Sequence, residues 1–379
     1  MFDDVMDRLR SSYTRSVETN PAVARSKNQG KPVVGVFGYM TPLEIIEAAG
    51  VFPVRLLGAP IDISDANQFQ TNFMCHFGRS VLELGLRGNY AALDGLVGEY
   101  ACEGGGNLAQ TLLEVTRPRY EFFLSLPHNA GESALEFYVA ELEAFRKSLG
   151  ASFGGAVDDA SLRGAVRVAN EQRGLLRELY DLRGLGEGVA ITGAEMANVI
   201  EYTQSVPKVE ANALLRELIS GARGRPTKPF SGPRLLLLGT RLHDSDLYEA
   251  IEEFGGMVVG DGLQTASQAF WHDVDESLPP LEALARHTLF GVPCSFMCSE
   301  RVAERRLDHL LMLHKRYHAG GVVVVVEKWC DSMQMDRPFM IDRLRTLGIP
   351  VLSIEVERSS GASQIRNRLE ALTEMMQQA

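Results

Sequence analysis

The 379-residue chain has five cysteines, no Cys-x-x-Cys pair and no excess of basic residues. Its apolar runs, VVVVV at 322–326 and LLLLG at 235–239, fall well short of the roughly 20 residues a membrane-spanning helix needs. Lysine and arginine total 38 against 49 aspartates and glutamates, a formal net charge of -11. That field repels a phosphate backbone and argues against a nucleic-acid partner, while local arginines can still capture small anions. Cysteines this sparse exclude a secreted disulfide framework. The opening MFDDVMDRLRSSY lacks the uninterrupted apolar stretch of a signal peptide. The chain is therefore expected to be cytoplasmic, with its thiols reduced and serving as buried small hydrophobes or metal ligands. Also missing are a Walker GK[ST], a GxGxxG fingerprint, an HExxH motif and a serine elbow. Without them, CEGGGN at 102–107 reads as a turn, or as a helix start whose amides could approach an anion. HKRYH at 314–318 reads as a solvated helix end.

The composition, 45% hydrophobic and 23% charged, is that of a soluble globular protein, and the length suits two domains. Strand-like and helix-like segments alternate, which implies parallel α/β layers. One set of strands is expected at 33–38, 52–57, 93–98 and 120–126, and a second at 234–239, 257–261, 321–327 and 350–356. A helix with similar boundaries follows the first strand of each set. In TPLEIIEAAG, Thr41 is the expected N-cap, Pro42 takes the first helical position and Glu44 closes a capping box. In DLYEAIEEFG, Asp246 is the expected cap and Glu249 the matching third residue. Gly50 and Gly255 end the two helices. The same interval separates Glu44 from Glu249 and Gly50 from Gly255, which favours two copies of one α/β unit.

Between the sets, 131–225 has the 3.6-residue apolar period of helices, and GARGRPTKPFSGP at 221–233 reads as a linker. The expected division is 1–155 for an N-terminal helix and the first α/β domain, 156–230 for a helical connection, and 231–379 for the second α/β domain.

Cys102 and Cys330 fall just beyond the third strand of their respective sets, where open parallel sheets bind ligands. The valine run before Cys330 suits a central strand buried on both faces. Cys75, in NFMCHFGRSVLEL, lies at or just before a helix start, which favours the thiolate. Three such thiols suit a cubane iron–sulfur cluster with one iron left open, and they also suit three buried structural cysteines. Cys294 and Cys298, in PCSFMCSE, would share a face only if that segment were helical. They are packing residues or reserve ligands. Glu99, Glu103, Glu327 and Asp331 flank the thiols. Most such carboxylates are solvated or paired, and Glu99 and Glu103 are the candidates for a base.

The segments GYMTPLEIIEAAGVFPVRLLG, CHFGRSVLELGL, DGLVGEYACE, GVVVVVEKWCD and IRNRLEALTEMM together resemble the 2-hydroxyacyl-CoA dehydratase family, which includes the cluster-bearing subunits of ATP-dependent benzoyl-CoA reductase. The resemblance spans nearly the whole chain. It implies two Rossmann- or flavodoxin-like parallel-sheet domains joined by a helical segment, with a 4Fe–4S cluster in the cleft between them on positions matching Cys75, Cys102 and Cys330. It further implies an oxygen-sensitive enzyme, a related cluster-bearing subunit as heterodimer or homodimer partner, an ATP-hydrolysing iron–sulfur activator and an acyl-CoA substrate. In the dehydratases the thioester carbonyl takes up one low-potential electron, so that the 2-hydroxyl can leave and the β-proton becomes acidic. The chain departs from the common pattern at Gly38, Tyr39 and Met40, where many members have Cys or Ser. It also departs at Glu103, where Asp is common, and at Asn367, where Thr is frequent. Two other readings stand beside this one. The first is a double-cubane reductase of small molecules, with Cys294 and Cys298 contributing. The second is a cluster-free ligand-binding paralogue.

Overall fold

The computed structural model of the protein describes residues 2–376, apart from 187, 228–229, 231, 240–244, 298–299, 358–366 and 373–375. All eight expected strands form: β1 Val33–Phe37, β2 Phe52–Arg55, β3 Gly95–Tyr100, β4 Tyr120–Ser125, β5 Arg234–Gly239, β6 Met257–Leu263, β7 Gly321–Glu327 and β8 Val351–Val356. They make two four-stranded sheets, ordered β2-β1-β3-β4 and β6-β5-β7-β8, and every adjacent pair is parallel. The protein is α/β, and the inferred duplication holds down to strand order. In each sheet the chain leaves the first strand in one direction and crosses to the third in the other. The crevice at the carboxyl ends of β1/β3 and of β5/β7 is therefore a topological switch point.

Burial explains the strand compositions. Every residue of β1, β6 and β7 is buried, as strands covered by helices on both faces require. β3 begins two residues later than expected because Asp94 is used at the turn. Its carboxylate accepts the Val33 amide at 2.8 Å and pairs with Lys27 at 2.6 Å.

The helix after β1 starts differently from the sequence expectation. Pro42, not Thr41, stands at the N-cap of Leu43–Ala48, and no side chain caps it. Thr41 is diverted to Glu99, which accepts its amide at 2.7 Å and its hydroxyl at 2.6 Å. Glu44 pairs with Arg173 at 2.5 Å instead of closing a capping box. In the second unit Asp246 is the first helical residue and Ser245 the N-cap, and the Ser245 hydroxyl donates to Glu249 at 2.6 Å. Gly50 and Gly255 do end the helices, with φ of 75° and 90°, a conformation that costs glycine little.

The connection is helical as expected: Glu132–Phe153, Asp159–Gly184, Gly193–Ser205 and Lys208–Arg223. The N-terminal helix Phe2–Ser12 packs on the last two of these. One apolar cluster runs from Val33 and Phe52 through Leu176 and Tyr202 to Leu236 and Val323, so both sheets and the helical layer share a core. Among the described residues, no helix is long and apolar enough to cross a membrane.

Candidate functional site

Each of the three singled-out cysteines is the N-cap of a helix. Cys75 precedes His76–Leu86, Cys102 precedes Glu103–Thr116 and Cys330 precedes Asp331–Thr346. All three are half-buried. The first amides of a helix lack partners within it and carry the positive end of its dipole, so a sulfur there is stabilised as thiolate. At Cys102 one of these amides is used, its Sγ accepting the Gly105 amide at 3.2 Å.

The three helix starts are brought against one another. Phe73 and Trp329, just upstream of Cys75 and Cys330, meet edge to face with ring centroids 5.0 Å apart. The Glu327 carboxylate at the tip of β7 accepts the Phe77 amide at 2.6 Å. Met74 lies over the first turn after Cys102, where a Cβ added to Gly104 would stand 3.3 Å from its sulfur. A Cβ at Gly106 would come within 2.2 Å of the Tyr100 ring. The CEGGGN run is thus a helix start whose missing side chains allow close approach. The turn at 294–297 reaches the start of the Cys330 helix. The Ser295 hydroxyl lies 3.4 Å from that of Ser332, which in turn lies 3.6 Å from the Cys330 sulfur.

Cys294 is fully buried and accepts Gln264 Nε2 at 2.9 Å. Burial pushes its thiol up, and the neighbouring Glu99 and Cys102 add to that shift. It precedes the helix Glu300–Arg316 rather than belonging to it, so the helical face considered for the Cys294–Cys298 pair does not include Cys294. Cys298 lies outside the described residues. Among the described residues, no three His, Cys, Asp or Glu side chains stand close enough to chelate one metal ion.

The candidate carboxylates differ from each other. Glu99 is 2% exposed, and the loop after β1 surrounds it. Its oxygens accept the amides of Tyr39 at 2.7 Å, Met40 at 3.0 Å and Thr41 at 2.7 Å, besides the Thr41 hydroxyl. Gly38 makes room for it. Its φ is 119°, and an added Cβ would fall 2.1 Å from Glu99 Cδ. Arg55 holds the carbonyl side of the same loop, donating to Gly38, Tyr39 and Thr41. Glu99 is therefore committed to holding the loop. Glu103 is exposed and accepts from the Tyr100 hydroxyl and from Asn107. The Tyr100 bond holds its carboxyl below the ordinary range, so of the two it is the accessible carboxylate. Asp331 is exposed at the start of its helix.

Two features escaped the sequence reading. The spacing Glu-x-x-Cys recurs at both strand tips, as Glu99–Cys102 and Glu327–Cys330, and it was visible in the sequence. Arg55, the one charge in an otherwise apolar strand, was also visible. Behind its loop lies a cavity of about 130 Å³ between the two units and the helical layer, lined by Tyr39, Glu44, Arg55, Arg173, Lys208 and His287 among others. Burial works to raise the Glu44 pKa, but Arg173 and Lys208 more than offset it and hold it at about 2. Burial depresses His287 to about 4.

A pair of matching parallel sheets, with thiols at equivalent carboxyl tips, defines a two-unit α/β protein. Residues 38–376 match the family described as 2-hydroxyglutaryl-CoA dehydratase, D-component, and the chain belongs to that family. It is 28% identical to the lactoyl-CoA dehydratase subunit beta of Anaerotignum propionicum, over 96% of this chain and 98% of that one. It is 25% identical to the (R)-phenyllactyl-CoA dehydratase beta subunit of Clostridium sporogenes, over 92% of each chain. It is 24% identical to a benzoyl-CoA reductase subunit of Thauera aromatica, over 95% of each.

Proposed function

We propose that the chain is the iron–sulfur subunit of an acyl-CoA dehydratase or reductase, a lyase or oxidoreductase of this family. In this reading Cys75, Cys102 and Cys330 hold a 4Fe–4S cluster, a related subunit pairs with the chain, and an ATP-hydrolysing iron–sulfur activator delivers the electron. The observation that carries it is the placement of three half-buried thiols at helix N-caps whose flanking segments touch at the carboxyl ends of the two sheets. The donor set fits a cluster better than a single ion. Thiolates are the ordinary cluster ligands, and a cubane attaches each to a different iron across a wider gap than one ion spans. Such a cluster, when bound, supplies a one-electron carrier of low potential for an acyl-CoA thioester.

The chain's own residues do the rest. The helix starts favour ionised sulfur, and the Gly105 amide stabilises the Cys102 thiolate. Phe73 and Trp329 flank the thiols on the outside. Glu99 and Arg55 fix the loop 38–41 from its amide and carbonyl sides.

Anaerobic purification followed by iron and sulfide determination tests the reading. About four irons per chain support it, and about eight would favour a double cubane that recruits Cys294 and Cys298. An iron-free, colourless anaerobic preparation that still binds a small ligand would replace it with a cluster-free binding module.

A further inference from the structure

Glu327 ends β7 three residues before Cys330, yet its carboxylate is spent on the other unit. It is 3% exposed and accepts the amide of Phe77 at 2.6 Å. Phe77 is the second residue of the helix His76–Leu86, whose N-cap is Cys75. An amide in this first turn is ordinarily satisfied by the N-cap side chain of its own helix. Here a carboxylate from the opposite sheet takes that role. The pairing also matches the helix dipole, because negative charge is favourable at an N-terminus. On its other side the helix start is held by stacking, with the Phe77 ring 5.8 Å from Phe37 at an interplanar angle of 9°. The equivalent Glu99 behaves differently, turning inward to its own loop, while Cys102 caps its own helix. The repeated Glu-x-x-Cys spacing is thus used within one unit at the first tip and between units at the second.

We infer that Glu327 is a positioning residue that latches the Cys75 helix start to the Cys330 strand tip and so sets the separation of those two thiols. The inference rests on reading the three cysteines as one ligand set. It calls for a readout that works without iron. Full-length wild type, Glu327→Ala and Glu327→Gln are compared in two measurements. The first is hydrogen–deuterium exchange at the Phe77 amide in the iron-free chain. The second is iron and sulfide content, with the visible spectrum, after anaerobic reconstitution.

Loss of a buried bond to a carboxylate should speed Phe77 exchange by about tenfold or more in Glu327→Ala. Exchange in β1 and β5 should stay unchanged, and bound iron should fall. Glu327→Gln keeps an acceptor oxygen and should recover most of both. Unchanged Phe77 exchange in Glu327→Ala would overturn the latch, as would faster exchange spread over the whole chain in both variants. Faster local exchange with wild-type iron content and spectrum would overturn the positioning role. If the wild type itself takes up no iron while the exchange effect persists, the cluster reading fails and the latch stands as a structural contact only, which overturns the role inferred here.

Discussion

Replacing Glu99 with glutamine keeps the size and shape of the side chain while exchanging one acceptor oxygen for a donor. In the native loop one oxygen accepts the Tyr39 and Met40 amides and the other accepts the Thr41 amide and hydroxyl. A glutamine NH₂ at the first position opposes the Tyr39 amide, and at the second it opposes the Thr41 amide. Either orientation leaves at least one buried N–H without a partner, at about 1–3 kcal/mol, and removes charge assistance from the remaining bonds. The expected loss is about 3 kcal/mol. Measured by urea unfolding followed by circular dichroism, with a slope near 3 kcal/mol/M for a chain of this size, it corresponds to a midpoint lowered by roughly 1 M. The effect should be the same with and without iron, because the contact lies within the first unit. A glutamine variant within about 0.5 kcal/mol of wild type would refute the assignment of Glu99 as the fixed anchor of the loop.

Other expectations follow from the same geometry. Cys330→Ser should abolish iron retention under anaerobic conditions while Cys294→Ser keeps it, since Cys294 is a buried thiol already bonded to Gln264. Iron counts that stay full in both variants contradict the ligand assignment. Glu44, lowered from 4.5 to about 2, contributes stability that is present above its unfolded pKa and lost as pH falls through 2. The shift corresponds to about 3 kcal/mol in the wild type, and Arg173→Ala should remove most of the acid limb below pH 4.5 in a stability–pH profile. His287, lowered from 6.5 to about 4, is stabilising while neutral, so its contribution declines between pH 6.5 and 4. His287→Gln should flatten that part of the profile. Gly38→Ala should disrupt the loop severely, because φ of 119° and the Glu99 side chain both oppose a Cβ. Near-normal unfolding of that variant would contradict the packing described.

Much of the architecture could be read from pattern alone. Runs such as LLLLG and VVVVV have no periodicity to confuse with a surface helix, and both formed doubly covered strands. The equal spacing of Glu44/Glu249 and Gly50/Gly255 correctly implied a duplicated unit. The positions of Cys102 and Cys330 followed from strand ends, and Cys75 from a helix start. What failed was local chemistry overruled at long range. Thr41 had the composition of an N-cap, but a carboxylate 58 residues away offered both its amide and hydroxyl a charged partner. The roles of Arg55 and Glu327 were illegible for the same reason. Each acts on backbone of another segment, and no spacing rule says which segment a strand tip will face.

The chain has two tryptophans. Trp271 is packed among Phe270, His309 and Tyr317 of the second unit and Tyr180 of the helical connection, whereas Trp329 is 38% exposed and leans edge-on against Phe73, contributed by the other half. The molecule thus carries an optical gauge of its own junction. Any hinge motion that parts the halves withdraws one indole from an aromatic neighbour into water and red-shifts its emission. The second indole stays put and serves as an internal reference.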